Sequence, residues 1–65
     1  MRVKYFEDTD TLYITLADRP PVETRELNSN VMLELDEQGQ VVALTVEQAK
    51  LEAGKLDFSF ESVAA

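Results

Sequence analysis

Apolar and polar residues alternate with a period of two along most of the chain, the pattern of strands with one side turned to a core. Val3 and Tyr5 alternate with Arg2, Lys4 and Phe6, and Leu12, Ile14 and Leu16 with Thr11, Tyr13 and Thr15. Further on, Val31, Leu33 and Leu35 alternate with Met32, Glu34 and Asp36, and Val42, Leu44 and Val46 with Val41, Ala43 and Thr45. Each segment has an aliphatic side. Turn chemistry separates them: Glu7-Asp8-Thr9-Asp10, Asp18-Arg19-Pro20-Pro21, Asn28-Ser29-Asn30 and Glu37-Gln38-Gly39-Gln40. Proline cannot donate to a ladder, asparagine tolerates the left-handed backbone expected in its turn, and Gly39 suits the left-handed residue of a hairpin turn. Across that last turn, Leu35 is expected to face Val42, Leu33 to face Leu44 and Val31 to face Val46.

Val22–Leu27 has little apolar content and reads as an exposed edge strand whose charges discourage edge-to-edge association. The period changes after Val46. Glu47–Ala53 is rich in helix formers, Gly54 stands at the C-cap position, and Ala49, Ala53 and Leu56 would share one helical face. Leu56–Val63 alternates again and is expected to dock as a last strand or an arm. The expected fold class is α+β, mainly β: an antiparallel meander of four to five strands with one short helix near the C-terminus, in one domain over residues 1–65.

The helix and tail can cover one side of such a sheet. The other side carries Phe6, Tyr13, Met32, Val41 and Ala43 mixed with Lys4, Thr15, Glu34, Asp36 and Thr45. Aromatic residues and Met are enriched at interface cores. Phe6, Tyr13, Met32 and Val41, with Phe58 and Phe60 of the tail, are therefore the expected interface residues of a homodimer, formed through this side or an exchanged C-terminal arm.

The 65 residues include 13 acidic and 6 basic side chains, for a net charge of -7, and neither histidine nor cysteine. Disulfides and thiolate zinc sites are excluded, and the commonest general base is missing. A compact chain of 7.3 kDa exposes about 4,200 Å² and has a thin core, which self-association would reinforce. Nucleic acid is a poor partner for so acidic a chain, whereas a basic protein would be attracted. Met1–Tyr5 shows no apolar stretch of signal length and no segment reaches membrane-spanning length, so a cytoplasmic protein is expected.

Glu34 and Asp36, two apart on one strand, would point the same way, ~6.6–6.8 Å apart. Paired carboxylates serve glycoside hydrolysis or metal binding, but a chain this short has little room for the cleft such chemistry needs. Asp8 and Asp10 open like a calcium loop, yet Tyr13 stands where its glycine belongs and Arg19 where its last glutamate belongs. The hydroxyl residues lack a basic partner at a telling spacing, and the two glycines are too far apart for a phosphate loop. No catalytic, cofactor-binding or metal-binding residue is expected, and the chain is not expected to be an enzyme.

Tyr5, Asp10, Leu12, Tyr13 and Ile14 resemble the opening signature of the domain of unknown function 2283, Tyr-Asp-x-x-x-Asp-x-Leu-Tyr-Ile, with Phe6 where an Asp is usual. Val31–Leu44 resembles the family's second signature, in which Asp36 and Gly39 match while Glu34, Ala43 and later Thr45 depart. The resemblance runs to about Ala53. It implies a compact sheet-rich fold and no activity. Some members look like neighbours of small toxin-like proteins. The expected role is a small acidic protein-interaction module that self-associates. The alternatives are an antitoxin-like inhibitor of a small basic protein and a small-ligand or metal-binding domain.

Overall fold

The computed structural model describes residues 1–64. Five strands come in order, β1 (Arg2–Phe6), β2 (Thr11–Thr15), β3 (Glu23–Glu26), β4 (Val31–Leu35) and β5 (Val41–Glu47), followed by a short helix, α1 (Ala49–Ala53). They form one antiparallel sheet in the order β1-β2-β5-β4-β3. The fold is α+β and mainly β, as the alternation predicts.

The meander holds in two parts, β1–β2 and β3–β4–β5, but not between them. The link from β2 to β3 runs across one end of the sheet, so β5 rather than β3 lies against β2. Pro20 and Pro21 interrupt any direct return on β2, because they offer no N–H to a ladder. The rest of the link is held elsewhere. Leu16 and Ala17 donate backbone N–H groups to the Val42 carbonyl at 2.8 and 3.2 Å, and Val22 donates to the Leu35 carbonyl at 2.8 Å.

Two expected pairs of the β4–β5 hairpin form, Val31 with Val46 and Leu33 with Leu44. The third does not: Leu35 stands opposite Val41, because a bulge at Glu34 and Leu35 shifts the register. A bulge gives one strand an extra residue. Here that residue is Val42, whose carbonyl receives the β2–β3 link and whose side chain is only 2% exposed.

Cross-strand partners share a side of the sheet, and the register therefore defines two unlike faces. One carries the rungs Tyr5–Leu12–Val46–Val31 and Val3–Ile14–Leu44–Leu33–Arg25, with Glu23 and Leu35 beyond them. Its charged strand residues, Glu23 and Arg25, pair with each other at 2.9 Å on the edge strand. The opposite face carries the rung Phe6–Thr11–Glu47 together with Arg2, Lys4, Tyr13, Thr15, Thr24, Glu26, Met32, Glu34, Ala43 and Thr45.

The helix starts two residues later than expected. Glu47 still belongs to β5, and Gln48 takes a left-handed conformation (φ 55°) that turns the chain off the sheet. Gly54 caps the far end with φ 80°, its N–H donated to the Lys50 carbonyl at 2.7 Å. Since the helix ends at Ala53, Leu56 is not on it. Of the three residues expected on one helical face, Ala49 alone is buried. Residues 56–64 form no ladder: they make an arm, not a last strand.

Among the described residues, no helix or strand lies extensively across either face; each strand's main packing is with its neighbours in the sheet. The expected cover by helix and tail is incomplete. The helix is one short turn at the sheet's end, and the arm passes beside Val3 and Ile14 without burying its own Phe58 and Phe60, which stay 52% and 77% exposed. The result is a plate of 34 × 32 × 18 Å. Its radius of gyration is 12.8 Å, against about 11 Å for a compact chain of this length.

Candidate functional site

Two aspartates organise the ends of the sheet. Asp10 closes the β1–β2 turn with φ 54°, a left-handed conformation that aspartate tolerates better than most residues. Its carboxylate accepts the Tyr5 hydroxyl at 2.6 Å and the backbone N–H groups of Lys50 (2.8 Å) and Leu51 (3.0 Å), while its carbonyl accepts the N–H of Ala49 at 3.0 Å. A helix start has N–H groups without intrahelical partners. Here Asp10 takes those of Ala49, Lys50 and Leu51, so a helix with no cap of its own is capped from the far end of the chain. The Tyr5 bond, above all, holds the Asp10 carboxyl below its usual range, and the same bond pushes the Tyr5 hydroxyl up to about 12.

Asp36, 6% exposed, does the corresponding work in the β4–β5 turn. One carboxylate oxygen accepts the N–H groups of Gln38 and Gln40, both at 2.9 Å, and the other accepts Arg19 Nε at 2.8 Å. The Gln40 bond, ahead of Arg19, holds this carboxyl low against the opposing effect of burial. Gly39 completes the turn with φ 77° and donates its N–H to the Asp36 carbonyl at 3.0 Å.

Glu34 and Asp36 do not act as a pair. Asp36 lies beyond the end of β4 and is used up in its turn, whereas Glu34 accepts the Tyr13 hydroxyl at 3.0 Å across β5. That bond raises the Tyr13 hydroxyl above its ordinary value. Asp8 is exposed and apart from the Asp10 cluster of bonds. Among the described residues, no three acidic side chains lie close enough to hold a metal ion. Nor, among them, is any helix long and apolar enough to cross a membrane.

The expected interface residues fall into separate places. Tyr13 and Met32 are half-buried on the polar face, on either side of Thr45. Phe6 shares that face by register but is half-exposed at the end of β1, and Val41 stands at the opposite end of the sheet, where β5 begins. Phe58 and Phe60 instead line an open depression of about 500 Å³ with Met1, Val3 and Ile14. Val3 and Ile14 belong to the aliphatic face, so the arm and Tyr13 are on different sides. The middle rung of that face, Ile14, Leu44 and Leu33, follows the alternation but is half-buried rather than enclosed in a core.

This is a small single-layer antiparallel β protein whose acidic side chains brace turns and a helix end. Tyr5, Asp10 and Asp36, which brace it, lie in the stretches that resemble a family signature. Its chain belongs to the family described as protein of unknown function (DUF2283), whose model matches residues 2–50. The match takes in all five strands and ends inside α1, leaving the arm outside. No curated protein and no solved structure matches the chain.

Proposed function

We propose that the chain is a small acidic protein-interaction module that works as a self-associated pair. The carrying observation is surface area. The folded chain exposes 5149 Å², roughly 950 Å² more than a compact monomer of its mass. Burial of apolar area is the main favourable term in association, and a single-layer sheet has that area in reserve.

A binding role also suits the carboxylates. Asp10, Asp36 and Glu34 are spent on internal hydrogen bonds, which leaves them poor candidates for acid–base or metal chemistry. The absence of cysteine fits a reducing cytoplasm. Size-exclusion chromatography with light scattering tests the proposal: the expected mass is twice 7.3 kDa, and a mass of 7.3 kDa at every concentration overturns it. A second reading, inhibition of a small basic partner in the manner of an antitoxin, draws on the net charge of -7. Co-purification of a basic protein from the native cell, with salt-sensitive binding, would support it.

A further inference from the structure

We infer that the pair forms through the aliphatic face: two sheets pack face to face, each covering the middle rung Ile14, Leu44 and Leu33 of the other. The inference rests on the self-association just proposed and names its surface.

The choice of face follows from what each side would have to desolvate. The aliphatic face offers Val3, Ile14, Leu44, Leu33, Val31 and Val46 across four neighbouring strands. Its strand charges, Glu23 and Arg25, neutralise each other at the β3 edge and would remain in the rim. The opposite face holds Arg2, Lys4, Glu26, Glu34 and Glu47 among its strand positions, and Tyr13 already gives its hydroxyl to Glu34. Burying that face would strip water from five charges, which costs free energy unless each finds a partner.

The occupant follows from area and chemistry. A standard interface buries about 800 Å² per partner, and one face of a plate 34 × 32 Å across is broad enough to supply it. A two-fold contact needs a patch that complements itself, and branched aliphatic side chains without charge or direction do so. A basic partner would find no carboxylate on the middle of this face to pair with. Two such sheets stack about 10 Å apart with strands nearly aligned. The chain then gains the second layer that its fold lacks. Phe58 and Phe60, beside Val3 and Ile14 and still exposed, fall at the margin of the contact.

The test uses the full chain and three variants. Leu44→Glu places a charge in the middle rung, at a half-buried position that a monomer can turn to water; Leu33→Glu does the same on β4. Tyr13→Glu alters the opposite face. The expected result is a dimer for the unaltered chain and for Tyr13→Glu, with the mass halved in both leucine variants and their far-ultraviolet dichroism retained. Should the leucine variants fail to fold, isotope-filtered NMR on a mixture of labelled and unlabelled native chains decides. Intermolecular contacts among the Ile14, Leu33 and Leu44 methyl groups support the inference. A native dimer whose intermolecular contacts fall on Tyr13, Met32 and Thr45, or only on Phe58 and Phe60, overturns the choice of face and leaves self-association standing. A native monomer overturns both.

Discussion

The carboxylate of Asp10 accepts the backbone N–H of Lys50 at 2.8 Å, forty residues further along the chain. With the bonds to Leu51 and Tyr5, this contact ties the first hairpin to the helix that follows the last strand. A helix of five residues is too short to hold itself, so its existence depends on that tie.

Replacing Asp10 with Ala therefore unseats the helix. The expected loss in thermal midpoint is about 5 °C or more, the usual scale for a lost cap in a chain this small. Hydrogen exchange gives the specific signature. The amides of Lys50 and Leu51 should exchange much faster, while those of the β3–β4 pair, at the other side of the sheet, keep their protection. Uniform acceleration would mean that Asp10 supports the whole sheet rather than the helix end. Tyr5→Phe, which removes one of the bonds, should have the same signature with a smaller amplitude.

The same side chains set the pH limits of the fold. Asp10 and Asp36 both titrate below their ordinary value of 3.8 in the folded protein. A carboxyl with a lowered folded value lends stability that is complete above its unfolded value and is lost as pH falls through the folded one. Denaturant midpoints should hold steady at neutral pH and decline below about pH 4. Tyr5 works in the other direction. Its folded value near 12 against 10.0 means that its contribution is complete below pH 10 and disappears as pH climbs towards 12. Tyrosinate absorbance should show the Tyr5 hydroxyl ionising near 12, and Tyr5→Phe should remove that step.

Asp36 and Arg19 form an ion pair at 2.8 Å with unequal partners: the aspartate side chain is 5% exposed and the arginine 46%. Arg19→Ala should have a small effect, because Asp36 keeps the Gln38 and Gln40 amides and the freed oxygen can meet water. Asp36→Ala should be far more damaging, since it leaves those turn amides without their acceptor. Chemical denaturation of the two variants checks the order; equal losses would mean that the ion pair, not the turn, is the important part.

Val42 and Val41 are neighbours with opposite prospects. Val42 is nearly enclosed and takes up the bulge; Val41 is 36% exposed. Val42→Ala should cost about 2 kcal/mol, from lost burial plus a cavity, whereas Val41→Ala should stay within about 0.5 kcal/mol. Urea titrations of both test the register: similar costs would contradict the bulge.

Much of this architecture is local and was open to reading. Period-two alternation marks the strands because consecutive side chains leave a strand on opposite sides, and Gly39, Gly54 and the two prolines mark where strands and helix must stop. Asn28 illustrates the limit. Its turn was legible, but its means is a side-chain oxygen accepting the N–H groups of Asn30 and Val31, at 2.8 and 3.0 Å, rather than left-handed backbone. The chemistry of Asp10 and Asp36 was harder to see. Both residues were visible as members of a signature, yet nothing near Asp10 announces that it caps a helix forty residues away.

Local chemistry thus accounts for the strand-rich class, the turns, the exposed β3 edge and the aliphatic side of each strand, all of which depend on near neighbours in the chain. The order β1-β2-β5-β4-β3, the shift of Leu35 from Val42 to Val41, the late start of the helix and the separate duties of Glu34 and Asp36 were decided in three dimensions. Each is a competition for hydrogen-bond partners between segments far apart in sequence. Alternation along one strand records which side a residue faces; it carries no information about which distant N–H will claim its neighbour's carbonyl.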